Sequence, residues 1–488
     1  MKNIFTRLLC MLLCLSLVAS FAPAAAAMQG GSGEIVEVSE VIYIDQVDSS
    51  ASVYSLDGNG NVALKPGNHE RWIDRLDLSD AKYALDFYAW LEDNIDGALV
   101  DPTRGDVSKD DYLHYVKTNT GKVSFTYDKN AANPADAAAA AAKQTAQYGL
   151  PETLKDVKPY LVAAYSAFDR DHPEVFWLTG SCLVGAPVSY SYSYGGGSGT
   201  VNYTQRFYFC LSKGDGSFDI RQESYRTAAS IEDGVSIRYT ATDIILNKVT
   251  ATDTYGKVRQ LNQILTTQNC YNSNVSTAPK SAHECISALT GNTGSAGPVC
   301  EGYARAFKVL CDELDIPCVL VDGMSYNSGG SGPHMWNNVQ MPDGNWYAVD
   351  VTWNDPVVSG KTGAVSGYEN ENYLLVGANT IVSGMYFSAS HEVQNAVTNG
   401  GTWFTNGPVL ENGAYIPATG LTISRSTLDL KEGELIVLTV AVVPSNATGE
   451  AIWSSDNPSV VTVDCGVVKA VSAGKAVITA RVGEVSAQ

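Results

Sequence analysis

Three separated stretches constrain this chain more than any other feature: Gly297-Pro-Val-Cys300-Glu-Gly-Tyr-Ala304, His334-Met-Trp-Asn-Asn-Val339 and Trp346-Tyr-Ala-Val-Asp350-Val-Thr-Trp-Asn-Asp-Pro356. A thiol becomes a working nucleophile when a base takes its proton, and the base works when a third group fixes its tautomer and aim. Cysteine, histidine and aspartate supply those three roles in chain order.

The local patterns give each residue a setting. From Cys300 onward Tyr303, Phe307, Leu310 and Leu314 recur at helical spacing, which predicts an amphipathic helix of about four turns with Cys300 in its first turn. Free backbone N–H groups and the positive end of the macrodipole favour a thiolate there and are candidate donors to an oxyanion. Ile316 to Val321 reads as a buried strand. Residues 334–341 and 345–353 read as two strands of a hairpin joined by Pro342-Asp343-Gly344, a type I turn with a glycine bulge. If Met341 pairs with Asn345, His334 falls opposite Thr352 and Asp350 is its diagonal neighbour on the same face. Such neighbours lie roughly 7–8 Å apart at the backbone, within reach of an imidazole and a carboxylate. A two-residue loop would break the parity and separate them.

On these motifs the stretch from about 250 to 380 resembles the transglutaminase-like superfamily in its secreted bacterial form. The resemblance implies a papain-like α+β fold, with the cysteine at a helix start and the other two residues on adjacent antiparallel strands. It also implies Cys300 as nucleophile, His334 as general base and then acid, and Asp350 as orienter. Trp336, Trp353, Asn354 and Asp355 match the aromatic and polar surround, and we assign them to substrate binding. The loop from Ala288 to Gly297 is longer than in many relatives.

The competing cysteines Cys182, Cys210, Cys270, Cys285, Cys311, Cys318 and Cys465 lack such flanks. Cys311 and Cys318 read as apolar filler or disulfide partners, and Cys465, in a turn, as a free or intermolecular thiol. His283, near Cys285, has no orienting group beside it and reads as structural.

The ends of the chain set the context. Met1 to Arg7 is basic, Leu8 to Phe21 is apolar, and Ala22 to Ala27 offers a cleavage site, so residues 1–27 read as a secretory signal. Its removal takes away Lys2 and Arg7 and no acidic residue, leaving 30 basic against 52 acidic residues, a balance of −22. That charge disfavours nucleic acid and anionic lipid as partners, and no later segment is apolar enough to be a transmembrane helix.

A chain this long predicts several domains. Residues 28–245 form an N-terminal α+β region of unknown role. In it a strand is expected over Glu34–Gln46, helices over 76–94, 135–147 and 155–168, and a hairpin over Val188–Leu211 around Gly195–Gly199. Residues 246–405 are the transglutaminase-like stretch, 406–416 a linker, and 417–488 a run of short alternating strands that predicts a β-sandwich. Trp453-Ser-Ser-Asp-Asn-Pro-Ser-Val-Val-Thr-Val463 and Gly466 to Gly474 make this last part similar to bacterial immunoglobulin-like group 2 domains of surface proteins. Members continue by one more strand beyond the position of Gln488, so the chain is a fragment or leaves a sheet edge open.

Other motifs carry little weight. Asp57-Gly-Asn-Gly-Asn61 lacks the loop glycine and the final glutamate of a calcium loop, Arg104-Gly-Asp106 is a chance triplet, and His172 before Pro173 reads as a helix stop. The fold class expected is thus α+β multidomain with an all-β C-terminal sandwich. The expected function is a secreted or cell-surface thiol enzyme of acyl transfer on amide bonds of protein, peptide or cell-envelope polymer, needing no metal or cofactor. Its alternative is a noncatalytic cell-surface binding protein that uses the same cleft.

Overall fold

The computed structural model describes residues 30–35, 39–43, 84–92, 114–130, 133–174, 181–185, 188–212, 240–291, 297–355, 369–393, 396–398, 401–404 and 408–488. They fall into two compact units, Met1–Arg238 with Ala396–Thr405, and Tyr239–Asn395 with Asn406–Gln488. The signal segment, the Asp57–Asn61 turn and the Arg104–Asp106 triplet lie outside the described residues.

The first unit is a twisted antiparallel sheet crossed by a long helix. Its elements are β1 (Gly30–Ile35), β2 (Ser39–Tyr43), α1 (84–92), β3 (His114–Thr126), α2 (Pro134–Asp171), β4 (Ser181–Gly185), β5 (Val188–Gly195) and β6 (Ser198–Ser212). The strands run β1-β5-β6-β4-β2, with β3 also paired to β6. The strand expected over Glu34–Gln46 is thus two strands. The β5–β6 hairpin turns at Gly196 and Gly197, both at positive φ, which suits a two-residue primed turn. Tyr190, Tyr192 and Tyr194 share one face of β5 and pack with Phe125 and Val201 against Ala138 and Ala142 of α2. Small alanines let the helix approach the tyrosine face closely.

The Asn133 side chain accepts the Ala135 N–H at 3.1 Å and Pro134 occupies the first helical position, which together start α2. The two helices expected at 135–147 and 155–168 run as one, through Pro151, with buried alanines on both sides of it. A proline removes one backbone bond, and the packing on either side holds the element together.

In the second unit the nucleophile candidate and the hairpin share one core. The elements are α3 (240–248), α4 (Thr254–Gln268), α5 (Cys285–Leu289), α6 (Cys300–Glu313), β7 (Cys318–Asn327), β8 (Gly330–Gln340), β9 (Trp346–Val349), α7 (Val351–Asn354), β10 (Ile381–Val382), β11 (Met385–Tyr386), α8 (Phe387–Ser390) and β12 (His391–Val393). The main sheet is antiparallel in the order β12-β7-β8-β9. Helix α6 lies on β8 and is buried on every side from Glu301 to Cys311. Its buried charges are matched within the helix, Arg305 to Glu301 and Lys308 to Asp312, each at 2.9 Å.

The start of α6 is fixed from outside. Asn272 N–H donates to Pro298 O at 2.9 Å and Val299 N–H to Ala282 O at 3.0 Å. Gly302 is required next to them, because a Cβ there would meet the Ala282 carbonyl and stand 2.6 Å from Ser287 Oγ.

Residues 396–405, expected at the end of the transglutaminase-like stretch, group with the first unit, where the hairpin Ala396–Thr398/Gly401–Phe404 contacts α2. Beyond it, residues 417–488 form short antiparallel strands. Gly420–Ile423 pairs Val440–Val443, Leu435–Val437 and Val461–Asp464 flank Val467–Ala470, and Ile452–Ser455 and Val485–Ala487 flank Ile478–Val482. Leu438, Val460, Val468, Ala470, Ala480 and Val482 fill the space between them.

This sandwich is tied to the rest of its unit. Glu484 accepts from the Thr254 N–H at 2.7 Å and the Thr254 hydroxyl at 2.8 Å, at the N-terminus of α4, where a carboxylate also meets the helix dipole. Tyr415 is buried, its ring centroid 5.3 Å from Tyr347 and 6.2 Å from Tyr255.

Candidate active site

Cys300 opens α6 and is half-buried. His334 lies on β8, directly opposite Gly323 of β7. The β8–β9 register follows from the turn, where Met341 N–H donates to Asn345 O at 3.0 Å and Gly344 sits at φ 83°. That pairing is the one expected, but β9 ends at Val349, so Thr352 does not face His334. Asp350 instead caps a helical turn. Its Oδ1 accepts the Trp353 N–H at 3.1 Å, and its own N–H donates to Tyr373 O at 3.0 Å. The expectation of a strand to residue 353 is therefore corrected: an aspartate before three residues that can turn is an N-cap, and the cap outcompetes β-propensity.

From this corner Asp350 Oδ2 accepts the His334 Nε2–H at 2.8 Å. Cys300 is the other group that acts on this imidazole. Burial alone would lower the affinity of His334 for its proton; the charge and hydrogen bond of Asp350, helped by Cys300, overcome this and push it up to about 10. For Asp350, burial raises the carboxyl, but His334 and His391 together hold it well below the usual carboxylate range. The structure therefore brings Cys300, His334 and Asp350 together, with His334 hydrogen-bonded to Asp350.

Residues 244–351 match the model of the transglutaminase-like superfamily, and residues 417–488 match that of the bacterial Ig-like domain (group 2). The thiol, imidazole and carboxylate all lie inside the first match. The chain combines a transglutaminase-like domain with a bacterial Ig-like domain. No curated protein matches it. The α+β transglutaminase-like core and the all-β Ig-like domain are the architecture expected from the sequence.

The four surrounding residues divide. Trp336 is 1% exposed and Asn354 fully buried, so neither can line a cleft, a correction to their assignment as substrate contacts. Asn354 is framework: its side chain donates to Asn262 Oδ1 and accepts the Tyr373 N–H, both at 2.9 Å. Trp353 is half-buried with its ring centroid 5.6 Å from that of His334. Asp355 is half-buried and accepts a hydrogen bond from the Tyr303 hydroxyl. Burial, reinforced by Glu369 and opposed by Tyr303, raises its carboxyl to about 7.

Sequence reading missed two neighbours. Tyr271 is half-buried near Cys300 and Asp350, and burial and those charges together raise its hydroxyl far above the ordinary phenol range. His391 is 2% exposed and donates Nε2–H to the same Asp350 Oδ2 at 3.0 Å, while its Nδ1 lies 2.9 Å from Ser390 Oγ. With only six histidines in the chain, each one was worth placing, but no local motif marks this one.

His334, Asp350 and His391 are, among the described residues, the group whose ligand atoms are close enough to share a metal ion. A cation there would have to replace both imidazole-to-carboxylate hydrogen bonds. His283, read as structural, pairs with Glu301 at 3.0 Å. Cys311 and Cys318 are buried with their thiols in contact, and Cys465 is exposed at φ 47°. In the first unit, His172 does stop α2, and it is also a buried clamp, 3.1 Å from Glu92 and 2.9 Å from Glu174.

Among the described residues no helix is long and apolar enough to cross a membrane.

Proposed function

We propose that this protein is a thiol enzyme of acyl transfer on amide bonds, with Cys300 as nucleophile, His334 as general base and acid, and Asp350 as orienter. The observation that carries the reading is the hydrogen bond from His334 to the buried Asp350 carboxylate, with Cys300 beside the same imidazole. The thiol proton resides on His334 as the Cys300 sulfur forms a bond to the amide carbonyl carbon. The C–N bond then breaks, and the departing nitrogen takes the proton from His334. A thioester is left on Cys300. Water releases it as a carboxylic acid and makes the reaction a hydrolysis; an amine releases it as a new amide and makes it a crosslink. In both cases the thiol regains its proton through His334.

The free N–H groups of the first turn of α6 support the developing oxyanion. Trp353, beside His334, and the half-buried Asp355 are the side chains assigned to substrate binding. The signal-like residues 1–27 and the Ig-like domain support a secreted or surface setting, with protein, peptide or cell-envelope polymer as substrate.

The test is selective alkylation. A thiol-directed electrophile is expected to label Cys300 ahead of Cys270 and Cys465, and His334→Ala to abolish that preference. Equal, slow labelling in both proteins would favour a noncatalytic binding cleft. Offering a glutamine-containing protein, a small amine and muropeptides side by side, and following ammonia release and amine incorporation, then separates hydrolysis from transfer.

A further inference from the structure

The second histidine on Asp350 has no place in the scheme above. His391 comes from the edge strand β12, two strands away from β8, and its ring is enclosed. Phe387 stacks on it with a centroid distance of 4.1 Å, and Trp353 and Trp336 meet it edge-on at 4.5 and 5.1 Å. Its polar contacts are Asp350 Oδ2 on one side and Ser390 Oγ on the other, where the Phe387 backbone also acts on the ring. An ionised carboxylate can only accept, so Nε2 of His391 carries a hydrogen, as does Nε2 of His334. A neutral His391 then has Nδ1 as acceptor beside the Ser390 hydroxyl, whose one hydrogen is shared between that nitrogen at 2.9 Å and the Phe387 carbonyl at 3.1 Å.

We propose that His391 is a positioning residue of this site: by donating to the oxygen that also holds His334, it fixes that oxygen and limits how tightly the carboxylate holds the His334 proton. The inference rests on the thiol-site reading, because that reading gives His334 a proton to take and return. A carboxylate serving a single imidazole in a fully buried setting would bind the imidazolium strongly. Such a histidine accepts the thiol proton readily but gives it to the departing amine slowly. A second neutral donor on the same oxygen spreads the carboxylate's charge over two N–H groups and weakens its hold on each. Burial also keeps His391 itself below the ordinary imidazole range, which favours the neutral form this sharing needs.

The titratable groups facing the two rings are few. Asp350 lies between them, Cys300 meets His334 from α6, Tyr271 approaches Cys300 and Asp350 from the segment before α5, and Tyr373 lies 5.8 Å from His391 by ring centroids. Trp336, Trp353 and Phe387 add no charge. The coupling between His334 and His391 therefore runs through Asp350.

The experiment is a titration of the whole protein carrying ring-labelled histidine, with the His334 and His391 signals assigned by substitution. In His391→Phe the His334 proton is expected to be held about tenfold more tightly, read as its titration midpoint moving to higher pH, because one hydrogen bond to a charged group has gone. His391→Gln, whose amide can still donate to Asp350, is expected to reverse most of that movement. Ser390→Ala gives a second route if the phenylalanine protein does not fold: it removes the oxygen that meets His391 Nδ1 and holds the ring against Asp350, and the His334 midpoint should again move up. An unchanged or lower His334 midpoint in these variants would overturn the proposal and leave His391 as packing. If instead Cys300 shows no His334-dependent alkylation while the His334 midpoint still moves, the thiol-enzyme reading fails and the coupling between the two histidines stands.

Discussion

The carboxylate of Asp350 caps Trp353: Oδ1 receives the Trp353 N–H at 3.1 Å, which leaves Oδ2 free to point at the imidazoles. One side chain thus ends a strand, starts a helical turn and holds an imidazole. Its structural and electrostatic roles can be separated. Asp350→Asn keeps a good N-cap and loses the charge, so the fold should survive while His334-assisted alkylation of Cys300 falls roughly a hundredfold or more. Asp350→Ala should show the same loss with a further cost of about 1 kcal/mol in unfolding. Urea titration and alkylation rates on the two variants check this; equal alkylation in wild type and Asp350→Asn would contradict the role.

His334 makes the second unit sensitive to alkali. Its proton is held up to about 10, against 6.5 for a free imidazole. The native state therefore binds the proton more tightly than the unfolded chain. This stabilisation is complete below about pH 6.5 and fades as pH rises towards about 10. Thermal unfolding between pH 6 and 10 should show the decline in the wild type and a flatter curve in His334→Ala.

Asp355 works at lower pH, through a carboxyl rather than an imidazole. Its carboxyl rises from 3.8 to about 7 in the fold, so the native protein prefers it neutral. The cost of ionising it grows as pH climbs above about 4 and is complete above about 7. Asp355→Asn keeps an acceptor for Tyr303 and removes the charge. The variant should melt roughly 2–4 °C higher than wild type at pH 8, with the gain shrinking towards pH 4.

Gly323 is a steric requirement of the sheet behind the site. A Cβ there would meet the Glu392 carbonyl of β12 and stand 2.5 Å from the Trp336 ring. Gly323→Ala is expected to cost about 1–3 kcal/mol by pushing β12 and the ring apart. Because β12 begins with His391, the His391 signal should shift in the same variant.

The cap that Glu484 places on Thr254 is testable by truncation. Glu484→Ala should cost about 1 kcal/mol and expose the segment around residues 415–419 to proteolysis. Unchanged melting and cleavage would show that the other contacts of the Ig-like domain suffice without it.

Much of the site was legible in the sequence because its parts are local. The Pro342-Asp343-Gly344 turn fixes the β8–β9 register, and the apolar spacing after Cys300 fixes the helix and its first residue. The end of β9 was less legible, since Val351, Thr352 and Trp353 favour strands by composition while Asp350 favours a cap. Trp336 and Asn354 looked like cleft residues because they flank reactive ones; burial depends on what packs over them, here Phe387 and Tyr373, which come from far along the chain. His391 is the extreme case. Its partner Asp350 lies 41 residues earlier, and nothing beside it in sequence hints at the contact. In the first unit, Asn133-Pro134 announced the start of α2 plainly, whereas the passage through Pro151 depends on packing that no local rule contains.

Glu484 on Thr254, with the linker residue Tyr415 between Tyr255 and Tyr347, fastens the Ig-like domain and the linker before it to both the helix behind the thiol and the hairpin that carries His334 and ends at Asp350. A tether would let the reactive groups wander relative to whatever the Ig-like domain holds. A domain clasped in this way acts as a bracket, so an anchored Ig-like domain would also set the direction in which the thiol faces.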